Sequence, residues 1–277
     1  MNKNRNIALI GCGYWGTILA NNLLNFGIKN LYIYDFNKKN SEALKKKFKR
    51  VIVKNSYENL LKDESINIFF FATPPTKNFL LIKKAIENNK NIFLEKPGFK
   101  RINDFYKIKK IKMNNKILMF GYVYCYNDYI QYIKKIINKK DLGKILHINF
   151  QRQNLGPIRN DVQVAEDLSS HDLSIILNIF KKLPKVIYHN KYSILKKKIS
   201  DISNLHMKLN GSFIDINNTW LSPTKIRRIT IIGSKKMLLF DEMDLLNPIK
   251  IYNKYAVYPK IEDFKKSFFQ KKALIYE

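Results

Sequence analysis

The tightest constraint on this chain is the run Ile7-Ala8-Leu9-Ile10-Gly11-Cys12-Gly13-Tyr14-Trp15-Gly16. Four consecutive apolar residues read as a strand buried on both faces, as parallel sheets require. They lead into G-x-G-x-x-G, and residues 17–24 continue with helical spacing. Strand, glycine turn and helix in that order are the setting in which the pattern denotes a dinucleotide site. Gly11 lets the chain turn and Gly13 admits a pyrophosphate close to the backbone. Gly16 lets the helix lie tight on its strand, and the helix N-terminus offers N–H groups to an anion. Tyr14 and Trp15 belong to the same turn and are expected beside the cofactor. A second strand, Leu31–Tyr34, ends in Asp35, nineteen residues beyond Gly16. A carboxylate at about this spacing meets an adenosine ribose. The competing reading is an ordinary glycine-rich turn with a solvated Asp35.

Strand and helix go on alternating. A Lys-rich helix is expected over Lys39–Phe48, a strand over Val51–Val53, and a short helix from a Ser56 cap to Leu61. Ile66–Phe71 reads as a buried strand ending in Ala72-Thr73-Pro74-Pro75. Thr76 is expected to cap the next helix, with Phe79, Ile82 and Ile86 on its apolar face. The strand Asn91–Leu94 runs into Glu95-Lys96-Pro97-Gly98; a helix over Asp104–Met113 and a strand over Ile117–Phe120 complete the series. Six strands with crossover helices make a doubly wound parallel Rossmann sheet, whose ligands lie beyond the carboxyl ends of the strands. That gathers Gly11–Gly16, Asp35, Thr73–Pro75 and Glu95–Pro97 at one edge.

The rhythm changes after Tyr122, so residues 1–122 form one expected domain and 123–277 a second. Helices are expected over Tyr129–Asn138 and Leu168–Lys181, with an extended strand over Lys144–Asn154. Beyond the second helix the chain reads as strands: Val186–Leu195, Leu205–Leu209, Phe213–Leu221, Arg227–Ile232, Met237–Asp241 and Ile249–Tyr252. Turn signals at Asn210-Gly211, Ser222-Pro223 and Gly233-Ser234 separate them. The second domain is therefore expected to be α+β, with a large, mostly antiparallel sheet.

Composition matters mainly for what it excludes. The formal charge is +29, but only seven of the 51 basic residues are Arg, and the lysines are scattered through every expected helix and turn. A nucleic-acid surface concentrates charge and favours Arg, so no nucleic-acid partner is expected. An attraction to anionic small molecules remains open. Two cysteines, Cys12 and Cys125, make no disulfide framework. The longest apolar run, Ile68 to Ala72, falls far short of a membrane span of about 20 residues. No N-terminal signal pattern precedes the first strand. A cytoplasmic protein without a membrane partner is the expectation.

Two groups of residues stand out for chemistry. Lys96, held between Glu95 and a Pro97 that can be cis, could bind a substrate hydroxyl and stabilise the alkoxide; the alternative is one more surface lysine. In the helix near Leu168, Asp167, His171, Ser174 and Asn178 recur as a polar stripe, beside an apolar stripe of Leu173, Ile176, Leu177 and Phe180. His171 reads as a proton acceptor with Asp167 one turn back to orient it. The alternative is a capping Asp followed by a solvated His. His147, His189 and His206 show no such pairing and read as strand or turn residues. No metal is expected.

The segments IALIGCGYWG, ATPPT, EKP, GYVYCYN and DLSSHDLSIIL, in that order, resemble the glucose–fructose oxidoreductase and inositol dehydrogenase (Gfo/Idh/MocA) family from about Ile7 to Lys182. The resemblance implies hydride exchange between a nicotinamide cofactor and a ring hydroxyl or carbonyl of a sugar, nucleotide sugar or cyclitol. It implies catalytic Lys96, Asp167 and His171, with the second domain carrying its Asp–His helix over the nicotinamide. It places the cofactor against Gly11, Gly13, Tyr14, Trp15, Gly16, Asp35, Thr73, Pro74, Pro75, Glu95 and Lys96. Asp35 favours NAD over NADP because it would repel a 2′-phosphate, a preference that Lys38 and Lys39 soften. The stretch 151–161, Asp161 included, is similar to a subgroup associated with surface-polysaccharide sugar synthesis. Arg152, Asn154 and Arg159 there, with Tyr122, are candidates to hold the substrate. A homo-oligomer is implied as well. Tyr122 and Asn78 stand where the family often has His. Relatives usually continue into a further helix, of which Leu274–Glu277 would be the start. These departures leave a second reading, a catalytically impaired or regulatory dinucleotide-binding relative.

Overall fold

The structure, a computed structural model, describes residues 5–160 and 162–255. Asp161 and the Leu274–Glu277 tail lie outside the described residues. The chain divides into two compact units, the first ending at Tyr122 and the second starting at Val123.

The first unit runs β1 (Asn6–Ile10), α1 (Tyr14–Asn25), β2 (Asn30–Tyr34), α2 (Lys38–Lys47), β3 (Ile52–Val53), α3 (Tyr57–Lys62), β4 (Ile66–Phe71), α4 (Pro75–Glu87), β5 (Asn91–Leu94), α5 (Ile102–Lys109) and β6 (Leu118–Phe120). The strand order is β3-β2-β1-β4-β5-β6, and every pairing is parallel. The apolar run of β1 reflects its central place. Ile7 and Leu9 pack on one side with Ala20, Leu23, Leu24 and Leu44. Ala8 and Ile10 pack on the other with Leu60, Leu81, Ile82 and Ile108. A strand buried on both faces has no position for a polar side chain. Asn37 and Ser56 cap α2 and α3 by accepting the N–H of Lys39 and of Asn59, each contributing about 1 kcal/mol. Thr76 is not the cap of α4. Pro74 holds that position and Pro75 the first helical one, where a ring without an N–H costs nothing. Chain order reverses between β1 and β4, so their carboxyl ends open the crevice in which such sheets hold ligands.

The second unit begins with a 3-10 turn (Val123–Tyr126) and α6 (Asp128–Asn138), followed by β7 (Ile145–Leu155). A wide π turn (Ala165–Ser169) feeds α7 (Ser170–Phe180), and the strands β8 (Lys185–Tyr192), β9 (Ile202–Leu209), β10 (Ser212–Thr219), β11 (Leu221–Gly233), β12 (Met237–Asp241) and β13 (Ile249–Tyr252) come after it. They form one seven-stranded sheet, β13-β12-β11-β7-β10-β9-β8. Only the β7–β10 pair is parallel; the others are antiparallel. Ile148 and Phe150 of β7 and Ile214 and Ile216 of β10 face the core, where α6 inserts Ile130, Ile133 and Ile136.

Helix α7 is rotated from the expected stripe. Ile175, Ile176 and Ile179 are its core residues, Leu173 and Phe180 pack partly against them, and Leu177 is exposed. The buried arc also takes in Asp172 and Ser174. An apolar stripe four residues wide could be drawn two ways around this helix. Its partner surfaces select the one centred on Ile176.

Candidate functional site

In the first unit the glycine turn closes through its own backbone. Gly11 has φ +94°, and its N–H donates to the Tyr34 carbonyl at 2.9 Å. A Cβ at Gly11 would sit 2.7 Å from the Ala72 carbonyl oxygen, and one at Gly16 would run into the Gly11 carbonyl. The protein's own packing accounts for both glycines. Gly13 is different. Its φ is −72°, open to any residue, and a Cβ there would meet no protein atom within 4 Å. The vacant volume is a cleft of about 500 Å³ lined by Gly11, Gly13, Asp35, Phe36, Asn37, Asn40, Ala72, Thr73, Pro74 and Lys77. Free main-chain N–H groups of the first turn of α1 and an acid at the end of β2 suit a pyrophosphate and a ribose. The residues present fit a dinucleotide.

Asp35 is held firmly. Its carboxylate oxygens accept the N–H of Cys12 at 2.7 Å and of Asn37 at 2.8 Å, joining the glycine turn to the start of α2. Burial, and after it the Asp35 carboxylate, push the Cys12 thiol up to about 12. Cys12 therefore stays protonated and unreactive at neutral pH. Of the other expected cofactor residues, Thr73 and Pro74 line the cleft, and Gly16 and Pro75 lie buried. Tyr14 and Trp15 are exposed on the first turn of α1, packed edge to face. Phe36, Asn37, Asn40 and Lys77 were missed. All but Lys77 follow Asp35 within five residues, which was the available signal.

Glu95 and Lys96 stand half-buried where β5 ends, and the Lys96–Pro97 peptide is cis. Burial raises the Glu95 carboxyl pKa, opposed by the Lys96 backbone N–H and charge. Asn78 ties this loop to the one after β4. Its side chain accepts from Thr73 Oγ1 and donates to the Gly98 carbonyl, each at 2.5 Å. Tyr122, at the end of this unit, stacks on Phe120 with ring centroids 6.3 Å apart.

In the second unit, Asp167 lies in the π turn and His171 in the first turn of α7. The Asp167 carboxylate receives the Arg159 guanidinium at 3.4 Å. Asn154, expected at the substrate, accepts from Arg227 at 2.5 Å and donates to the Gly156 carbonyl. Arg152 departs from the expectation. It faces the core from β7, is 4% exposed, and its Nε donates to Asp172 at 2.6 Å. Its Nη1 donates to the Tyr124 hydroxyl at 2.8 Å. Burial works most strongly against the guanidinium charge, but Asp172 and Tyr124 together, by charge and hydrogen bonds, outweigh it and raise its pKa above the ordinary value. Burial pushes the Asp172 carboxyl up, and Arg152 opposes that shift. A charge so enclosed is occupied by the fold rather than offered to a ligand.

His147 and His206 do have a carboxylate partner. Asp215 Oδ2 lies 2.7 Å from His147 Nε2 and Oδ1 lies 2.8 Å from His206 Nδ1. The three residues sit on the neighbouring strands β7, β9 and β10, a juxtaposition that no spacing in the chain announces. His189 hydrogen-bonds Ser203. Among the described residues no group of three His, Cys, Asp or Glu is arranged to hold a metal ion, and no helix is long and apolar enough to cross a membrane.

Residues 5–122 match the family model GFO_IDH_MocA, an oxidoreductase family with an NAD-binding Rossmann fold. An uncharacterized oxidoreductase of Streptococcus pneumoniae is 26% identical over 146 residues, covering 52% of this chain and 39% of that protein. The aligned stretches span 39% to 58% of the lengths of the curated relatives, so less than two thirds of each. Among solved structures, the WlbA dehydrogenase of Chromobacterium violaceum, in complex with NADH and UDP-GlcNAcA, superposes with a TM-score of 0.81. It is 18% identical, over 96% of this chain and 81% of that one. The UDP-N-acetylglucosamine 3-dehydrogenase GnnA of Acidithiobacillus ferrooxidans gives 0.76 at 18% identity, over 98% and 90%. At such identity these likenesses establish a shared fold.

Proposed function

We propose, from the premise that residues 5–122 belong to the Gfo/Idh/MocA family of NAD-binding oxidoreductases, that the chain is a dehydrogenase acting on a secondary hydroxyl or ketone of a sugar, nucleotide sugar or cyclitol. The observation that carries this reading is Gly13, whose smallness no protein neighbour demands and which opens onto the Asp35 cleft. The fold shared with two dehydrogenases named for, or bound to, UDP-sugars supports the substrate class.

The backbone of the glycine turn and Asp35 hold the dinucleotide, and the negative charge of Asp35 selects against a 2′-phosphate. Nicotinamide, when bound, supplies the hydride acceptor for oxidation or the donor for reduction. The chain's own part is alignment and the proton. Lys96 Nζ donates to the reacting oxygen and stabilises its negative charge. His171 takes the hydroxyl proton on an imidazole nitrogen, or returns it in the reverse direction. Asp167 favours the protonated imidazole from one turn back, with Arg159 limiting its charge.

The test is NAD titration by calorimetry, then turnover against UDP-sugars and cyclitols. His171→Ala is expected to lower kcat about 10²–10⁴-fold with NAD affinity unchanged. NAD binding without turnover of any substrate would point instead to the regulatory relative. No NAD binding would end the reading altogether.

A further inference from the structure

Behind His171 the second unit contains a closed circuit of side chains that cofactor binding does not explain. Asp172, next to His171 on α7, is 1% exposed and receives Arg152 Nε at 2.6 Å. The same guanidinium lies over the Tyr124 ring, 4.2 Å from its centroid, while Nη1 donates to the Tyr124 hydroxyl at 2.8 Å. That hydroxyl donates in turn to Glu242 Oε2 at 2.7 Å. The Tyr124 ring then returns to the imidazole of His171, packed edge to face with centroids 5.2 Å apart.

We propose that Tyr124 is a positioning residue for His171: its ring is the wall that sets the imidazole, and Arg152 and Glu242 hold that wall. The proposal rests on the acid–base reading of His171. A buried ion pair is a poor way to gain stability, because apolar residues of similar volume commonly do as well. What a polar network with its charges paired does give is a single arrangement of the side chains it touches. Here Asp172 Oδ2 is the one buried carboxylate oxygen among the described residues left without a hydrogen bond. His171 is constrained from two directions. Its backbone is fixed through Asp172, and its ring is flanked by a tyrosine that cannot swing, being pinned by two hydrogen bonds and a stacked cation. A proton-transfer group needs such support, since a displacement of about 1 Å can cost about 10²-fold in rate.

The experiment compares Tyr124→Phe, Tyr124→Leu and Glu242→Ala in the full chain, with NAD and the substrate found in the turnover screen. Tyr124→Phe keeps the ring but loses both hydrogen bonds that pin it, and should lower kcat about three- to tenfold. Tyr124→Leu removes the wall and should lower kcat about 10–100-fold, with KM for substrate and NAD affinity within about twofold. Glu242→Ala loses only one of those two hydrogen bonds and should fall between the wild type and Tyr124→Phe, which preserves the test if Tyr124→Leu does not fold. A readout independent of turnover is the NMR resonance of the His171 Cε1 proton, assigned by its loss in His171→Ala. It should move most in Tyr124→Leu and less in Tyr124→Phe, with His147, His189 and His206 unmoved. An unchanged kcat and resonance in Tyr124→Leu overturns the proposal. So does a loss of rate matched by an equal loss of NAD affinity. Full activity in His171→Ala would instead remove the acid–base reading itself, a separate and recognisable outcome.

Discussion

The glycine-turn cleft and the Arg152–Asp172 circuit are built in opposite ways. The cleft is mostly backbone: a turn, a helix N-terminus and one acid, with empty volume in front of Gly13. The circuit is all side chain, drawn from β7, α7, a 3-10 turn and the segment after β12, with Arg152 and Asp172 sealed in its centre. The cleft leaves its capacity unfilled for a ligand, whereas the circuit spends its capacity on itself. Damage to the first should therefore cost ligand, and damage to the second should cost fold and alignment.

The sharpest way to break this comparison is Arg152→Met. It leaves Asp172 buried and unpaired, and should destabilise the protein by about 3–5 kcal/mol in urea unfolding. Arg152→Met combined with Asp172→Leu should recover most of that loss. If the single variant unfolds like the wild type, Arg152 is not structural and its expected substrate role revives. Next in size is Gly16→Ala, whose Cβ meets the Gly11 carbonyl and should cost about 1–3 kcal/mol through overpacking. Gly13→Ala is its counterpart, since the new Cβ meets nothing in the protein. It should stay within about 1 kcal/mol of wild type while calorimetry shows NAD affinity falling about tenfold or more. Equal stability losses at the two glycines would erase the distinction between packing glycine and ligand glycine.

The smallest effect is expected at Glu95. Burial raises its carboxyl above the ordinary carboxylate range. The stability it contributes is thus present at acid pH, below its unfolded value, and lost as pH rises through its folded value. Glu95→Gln should raise Tm slightly near pH 8, by less than about 3 °C, and leave it unchanged near pH 4. A Tm gain that is the same at both pH values would show that the carboxyl charge is not its source.

Legibility in the sequence divides along the same line. Gly11, Gly13, Asp35, Thr73 and Pro74 were readable because each lies within a few residues of a strand end, and all line one cleft. The resemblance of residues 151–161 to a sugar-synthesis subgroup puts Arg152 among the substrate candidates, with Asn154 and Arg159. Yet β7 alternates, and Ile148, Phe150 and then Arg152 face inward, so a period-two count would have placed it in the core. Asp172 carried a similar signal, an acid three, four and seven residues before Ile175, Ile176 and Ile179. Tyr124 and Glu242 carried none, being 118 residues apart in the chain. His147, Asp215 and His206 meet only because β10 pairs in parallel with β7 and in antiparallel fashion with β9.

From its sequence alone the chain determined the doubly wound sheet, the glycine turn and the acid that ends β2. Each depends on dihedral freedom, apolar periodicity and spacing along a single βαβ unit, all of which are local quantities. Tertiary structure alone decided the rotation of α7, the burial of Arg152 against Asp172 and the placing of Tyr124 beside His171. Those depend on which surfaces compete to exclude water, and a side chain's partner across a sheet is set by register rather than by its neighbours in the chain.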